Sequence, residues 1–261
     1  MNSREYQYGF SERTDDMYDK CVREKKAITM ISVLKDHLGS KLKNAKLLNV
    51  GGSTGIIDNY LSKHTKEVIS IDIDEPAIHH AQRTYQTDNL TFQVADALNL
   101  PFHNNSFDIV ICSQVYEHVP DAEKMFEEIF RVLLPNGVCY FAAGNRIMWN
   151  EPHYNLPLLS ILPNPLANFY MRITGKGQYY YEKHLTYWGL KKLVNKFKII
   201  DYTKDLVCEP EKYSTSYMIE TGSLKQRMAK FVISIFYWAT PGYIWLLEKD
   251  SKLAMKQSLS K

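Results

Sequence analysis

The sequence predicts an α/β fold, a mostly parallel sheet with helices on both faces. Three observations carry the expectation. Short apolar runs alternate with amphipathic stretches from about residue 45 to 145. The runs are almost continuously apolar, as in "FDIVIC" (107–112), which suits strands buried on both sides. The first run, "LLNV", ends in Gly51-Gly52-Ser53-Thr54-Gly55, and an amphipathic segment follows at once.

The elements follow in order. Residues 15–38 place Met17, Val22, Ile28, Ile31, Leu34 and Leu38 at helical spacing, with Gly39 as a C-cap. Strands are expected at Lys46–Val50, Glu67–Asp72, Leu90–Val94, Phe107–Cys112 and Gly137–Ala142. Helices are expected near Ile56–Lys63, Glu75–Tyr85 and Ala122–Leu133, with a turn at Asn136-Gly137. The rhythm breaks near residue 145 in a stretch rich in proline and aromatic residues. It returns with "TYWGLKKLVNKFKIIDYTKD" (186–205), where Thr186 suits a helix N-cap. Phe231–Leu247 carries no charge. It reads as a helix to about Ala239, a turn at "TPG" and a strand "YIWLLEK", too short and too interrupted for a membrane span.

Composition bounds the function. The chain has 261 residues, 45% of them apolar and 23% charged, which fits a folded globular protein. Lysine and arginine number 32 against 29 aspartates and glutamates. The net charge of +3 is too mild to point to nucleic acid, and no basic run stands out. Cys21, Cys112, Cys139 and Cys208 form no CxxC pair, so no metal site is expected from them and the chain reads as reduced and cytoplasmic. The polar start lacks the apolar core of a signal peptide.

A strand, glycine loop and helix make a generic site for nucleotide-like ligands. Two common ligands are poorly matched. Counting from Gly51, the G-x-G-x-x-G positions hold Gly, Ser and Ile, and the Gly-Lys-Ser/Thr of a phosphate loop is absent. Asp72 ends the second strand about 20 residues beyond the glycines, where a carboxylate grips a ribose diol. Asp74, before Glu75-Pro76, reads as a helix N-cap. Asp96, in "VADALNLPF", lies beside the same crevice, placed to accept from an adenine amine.

With "LLNVGGSTG", "ISIDID", "VADALNLPF", "FDIVICSQVYEHVPD" and "FRVLLPNGVCYFA" in this order, the chain resembles the class I S-adenosylmethionine-dependent methyltransferases. The similarity is to their small-molecule branch, which includes the ubiquinone and menaquinone methyltransferases, and it covers over a third of the chain. The resemblance implies a Rossmann-like, seven-stranded sheet with an antiparallel seventh strand and a lid inserted after strand five. It implies S-adenosylmethionine as cofactor, with Asn49, Gly51, Gly52 and Gly55 near its methionine part. Asp72 would hold the ribose, Ile73 and Ala97 would meet the adenine with Asp96, and Ser113 and Gln114 would approach the transferable methyl. The family usually has Asp in place of Asn49 and often Gly in place of Ser53.

Methyl transfer needs a base only where the acceptor must lose a proton. His118, His153 and His184 are the candidate catalytic residues, though His118 fits as well a local role at a helix start. Tyr116 and Glu117 are expected at the substrate mouth. Trp149 and Tyr154 belong to an aromatic segment, 146–183, that reads as a lid over a flat or lipid-like acceptor. The expected division is one methyltransferase domain over 1–261. It comprises an N-terminal helical cap (1–40), a cofactor-binding core (45–145), the lid (146–183) and a C-terminal part (184–261) whose apolar helix reads as buried against the domain, with contact with an anionic membrane surface as the alternative. The expected activity is methylation of a small-molecule or lipid- or glycan-linked acceptor, oxygen preferred. The alternatives are carbon methylation of a prenylated quinone precursor, a non-catalytic scaffold that keeps the fold, and an NAD-dependent oxidoreductase.

Overall fold

A computed structural model of the protein describes residues 7–250. The outer ends of the cap and of the C-terminal part, 1–6 and 251–261, lie outside the described residues. The first half alternates β1 (Lys46–Val50), α2 (Ile56–Leu61), β2 (Glu67–Asp72), α3 (Glu75–Thr84), β3 (Leu90–Val94), β4 (Phe107–Ser113), α4 (Ala122–Val132) and β5 (Leu133–Gly144), after a leading helix α1 (Lys20–Leu38). The second half runs β6 (Asn150–Glu151), β7 (Leu156–Pro157), α5 (Asn164–Ile173), α6 (Tyr187–Leu193), β8 (Lys198–Asp201), α7 (Thr203–Cys208), α8 (Leu224–Ile235) and β9 (Gly242–Glu248).

Seven strands form one sheet in the order β3-β2-β1-β4-β5-β9-β8. Only β9 runs against its neighbours, pairing antiparallel with β5 and β8. The sheet therefore has the strand order and the single reversed strand of the Rossmann-like methyltransferase fold.

The apolar runs explain the two layers of helices. Alternate residues of one strand face opposite sides: Ile109 and Ile111 of β4 join one core, Val110 and Cys112 the other. The first core holds Leu34 of α1, Leu61 of α2 and Ile78 of α3. The second holds Phe126 and Ile129 of α4 and Leu190 of α6. Each fully buried side chain of this kind contributes about 1.5–3 kcal/mol. A strand that must satisfy both layers has no polar face to show, which is why it reads as an unbroken apolar run.

Several boundaries differ from expectation. Residues 15–18 form a 3-10 turn, and α1 begins at Lys20, capped by Asp19, whose carboxylate accepts from the Val22 N–H. Asn136-Gly137 does not end a helix. It is a kink inside β5, with Asn136 at φ 64°. The C-terminal helix stops at Ile235, and Tyr237–Ala239 is a separate 3-10 turn. The expected burial of that helix holds for one face only: Gln226 and Ile233 are buried, whereas Phe231 is 61% exposed and Leu224, Met228 and Ile235 lie open beside it. No helix among the described residues is long and apolar enough to cross a membrane.

Residues 146–183 follow β5 at the carboxyl edge of the sheet, where open α/β folds bind ligands. They carry the two-stranded β6–β7 hairpin and α5, and form a small core of their own around Leu156, Leu159, Ala167 and Met171.

Candidate active site

The glycine loop is shaped first by its own protein. A Cβ on Gly52 would lie 1.8 Å from Ser70 Oγ and 2.9 Å from Asp58 Oδ2. On Gly55 it would meet Ala81 and Phe92 at 2.8 Å. Both glycines pack against neighbouring elements and stand off the cavity wall, contrary to the expectation that they admit a ligand. Gly51, at φ 79°, is on the wall, and its missing Cβ would strike Val115 at 2.6 Å.

Four of the loop's five N–H groups are already committed. Those of Gly51 and Gly52 both donate to the Ile71 carbonyl, that of Gly55 to the Gly52 carbonyl, and that of Ser53 to Asp72 Oδ2 at 2.8 Å. A loop that donates inward offers no cradle for a phosphate. The dinucleotide and triphosphate readings, weak in the sequence, therefore lose their physical basis.

A cavity of about 1700 Å³ opens at the carboxyl ends of the central strands. Asn49, Asp72, Ile73, Asp96 and Ala97 lie along one end of it, with Ser113 and Gln114 following β4. Asp72 Oδ1 accepts from the Asp74 N–H at 2.9 Å while Oδ2 holds Ser53, so the carboxylate anchors the loop and still borders the cavity. Burial pushes its pKa up, and the backbone donors pull it back. Asp96 Oδ1 accepts from the Leu98 N–H at 3.0 Å. Gln114 borders the cavity at φ 57°, a sparsely populated conformation for a non-glycine residue.

Asn49 has a partner that explains it. Its amide donates to Asp58 Oδ1 at 2.7 Å inside the protein. Burial lifts the Asp58 pKa to about 6, with the Asn49 amide opposing the shift. An aspartate at 49 would set two carboxylates against each other there. Asp74 stands at the N-cap of α3, but its side chain makes no cap bond. It accepts instead from the Ser11 N–H at 2.7 Å and ties the N-terminal segment down.

The opposite end of the cavity is lined by His118, His153, Tyr154 and, at the rim, Trp149, which is 71% exposed. Tyr116 and Glu117 are absent from the wall, a correction to their expected place at the mouth. Tyr116 is 1% exposed; its hydroxyl donates to the Gly144 carbonyl at 2.7 Å and accepts from the Leu185 N–H at 3.1 Å. It is a strut between β5 and the chain at Leu185, just beyond residues 146–183. Glu117 is fully buried, and neither carboxylate oxygen has a hydrogen-bond partner. Burial pushes its pKa up, and His184 and His153 oppose the shift.

His184 is also off the wall. Its Nε2 lies 3.3 Å from Glu151 Oε1, the same oxygen that His153 Nδ1 meets at 2.6 Å. Burial alone would lower the His153 pKa, but Glu151 reverses the sign and lifts it to about 8. His118 goes the other way, to about 3, through burial and the neighbouring imidazoles. The His118 and His153 rings stack edge to face, 4.8 Å between centroids.

Sequence reasoning missed Glu151 and Glu182, and the signal was present: Glu117-His118, Glu151-Pro152-His153 and Glu182-Lys183-His184 are three Glu–His neighbours. It also missed Arg23 of α1, buried and on the cavity wall, with a pKa lowered by burial and supported by Asp58 and Asp72. The expectation of no metal site rested on cysteine spacing. Among the described residues, Glu117, His118 and His153 form one group able to hold an ion, and Glu151, His153 and His184 another.

The donor set at the strand ends suits S-adenosylmethionine: two carboxylates for a ribose diol and an adenine amine, and no phosphate cradle. Comparison with known proteins agrees. The family described as "Methyltransferase domain" matches residues 48–141. A ubiquinone biosynthesis O-methyltransferase of Psychrobacter cryohalolentis is 29% identical over 158 residues, 58% of this chain and 58% of that protein. Its Coxiella burnetii counterpart is 32% identical over 109 residues, 40% of this chain and 46% of that protein. The chain thus spans about half the length of these curated relatives. A crystal structure of an S-adenosylmethionine dependent methyltransferase from Mesorhizobium loti shares the fold. Its TM-score is 0.54 at 14% identity, over 82% of this chain and 94% of that one. The chain carries a class I S-adenosylmethionine-dependent methyltransferase domain, and S-adenosylmethionine is the cosubstrate that domain implies.

Proposed function

We propose that this chain methylates a small-molecule or lipid- or glycan-linked acceptor, oxygen preferred over carbon or nitrogen, as one domain whose residues 146–183 form the lid. The observation that carries the reading is a single cavity bordered at one end by Asp72 and Asp96 and at the other by His118, His153 and the aromatic lid. When bound, S-adenosylmethionine supplies a methyl carbon on a sulfonium, open to in-line displacement.

In this reading Asp72 holds the ribose and Asp96 the adenine edge, beside Ile73 and Ala97. Asn49, Gly51, Ser113 and Gln114 border the methionine part. Trp149 and Tyr154 exclude water and hold the acceptor at near-attack distance, the main need of a displacement with a good leaving group. His153, backed by Glu151, is the imidazole placed to meet an acceptor hydroxyl. His184 steadies Glu151 from behind.

Calorimetric titration with S-adenosylhomocysteine tests the reading. Micromolar affinity is expected, falling at least about tenfold in Asp72→Ala, which removes a charged hydrogen-bonding group. No binding by the folded protein would favour the non-catalytic scaffold.

A specific observation supports a second element, contact with a membrane surface. On α8, Leu224, Met228, Phe231 and Ile235 are exposed beside Lys225, Arg227 and Lys230. Such a face suits an anionic bilayer and a prenylated acceptor, carbon methylation of a quinone precursor included. Co-flotation with anionic but not neutral vesicles is the expected result.

A further inference from the structure

We propose that Glu117, His118 and His153 form a binding site for one first-row divalent cation at the acceptor end of the cavity. The site itself does not depend on the methyl-transfer reading. Glu117 is the starting point. Its carboxylate, just beyond β4, is removed from water with both oxygens unpartnered. A bare carboxylate in a dry interior costs several kcal/mol unless it is paired, protonated or bound to a metal.

The other two donors surround it. One oxygen of Glu117 and one nitrogen from each of His118 and His153 all lie within 4.8 Å of one another. Zinc bonds of about 2.0–2.2 Å set ligand atoms roughly 3.5 Å apart, so closing on an ion takes side-chain shifts of about an ångström. Two imidazoles and a carboxylate are a donor set that zinc, iron(II) and manganese accept.

His153 is oriented for this from behind. Its Nδ1 is taken up by Glu151 at 2.6 Å, which leaves Nε2 as the free ligand atom. A carboxylate behind a ligating histidine fixes the tautomer and strengthens the donor. His118 and His153 both face the cavity, so an ion held by three protein atoms keeps coordination positions open on that side. An acceptor oxygen would fill one, taking the place of its direct contact with His153, a use that rests on the proposed methyl transfer.

The second group, Glu151, His153 and His184, is less suited. Glu151 Oε1 already meets both imidazoles, at 2.6 and 3.3 Å, and the His184 side chain is 1% exposed, away from the cavity. An ion there would have to replace an existing hydrogen-bonded cluster.

The test is a titration of the full chain, stripped by chelator, with cobalt(II) in the absence of S-adenosylmethionine. The visible ligand-field bands report the binding and zinc competes. One equivalent of cobalt is expected to bind. Glu117→Gln should weaken binding more than about tenfold, Glu151→Gln by about 10- to 100-fold, and His184→Gln less than about threefold. Near-ultraviolet circular dichroism and a parallel S-adenosylhomocysteine titration confirm that each variant is folded and separate this outcome from that of the cosubstrate reading. The proposal is overturned by a folded wild type that gives no cobalt bands. It is equally overturned by unchanged affinity in Glu117→Gln, or by loss in His184→Gln with Glu117→Gln intact.

Discussion

The two ends of the cavity are built on different terms. At the glycine-loop end, polar groups are tied to the fold: Asp72 holds two backbone N–H groups, Asn49 holds Asp58, and Gly52 leaves room for Ser70. At the histidine end, the Glu117 carboxylate holds nothing, two imidazoles share one carboxylate oxygen, and Trp149 stands in solvent. The loop end earns its shape through folding, so a change there should damage stability first. The histidine end keeps groups in reserve, so a change there should damage ligand handling first.

The largest expected effect tests the loop end. Gly52→Ala places a methyl 1.8 Å from Ser70 Oγ and should destabilise the protein by about 3 kcal/mol or more, read by chemical denaturation. Pairing it with Ser70→Gly should recover part of the loss. A tolerated Gly52→Ala would break the comparison at its base.

Next in size is a pH effect at Asp58. Its folded pKa of about 6 lies above the ordinary value of 3.8, so the folded state holds the proton more tightly. That contribution is complete below about pH 4 and is lost as pH rises through 6. It amounts to roughly 2–3 kcal/mol at most. Asp58→Asn should flatten the slope of stability between pH 4 and 7, measured by urea denaturation across that window.

Tyr116→Phe tests the strut between the two regions. It leaves the Leu185 N–H and the Gly144 carbonyl without their partner and should cost about 1–2 kcal/mol. Hydrogen exchange should quicken at Leu185 more than at β1. Smallest of all is Trp149→Ala, expected within about 0.5 kcal/mol of wild type in stability. Any loss there should appear in acceptor KM instead.

The same division explains what could be read from the sequence alone. Strands such as β4 were legible because burial on two faces leaves one residue class acceptable at every position. Asp72 and Asp96 were legible because their place at strand ends follows from the alternation alone. The reason for Gly52 was not, since it depends on Ser70 lying opposite on β2, a matter of register. Asn49 stands where the family usually has Asp, and the reason, its partner Asp58, lies on α2. The Glu–His cluster was the least legible. Its members come from three segments, 117–118, 151–153 and 182–184, that meet only when the chain after β5 folds back over the sheet.

The reversed strand has a consequence for how the protein is made. Gly242–Glu248 sits between β5 and β8, yet it is synthesised after both. Until it emerges from the ribosome, β5 presents an open hydrogen-bonding edge and Lys198–Asp201 has no strand to pair with. About a hundred residues separate Gly144 from Gly242, so this closing step is among the least local in the sheet and the slowest to be found by chance. A nascent chain halted before residue 242 would expose an adhesive edge, and protection from chaperones or from its own copies would matter most in that interval.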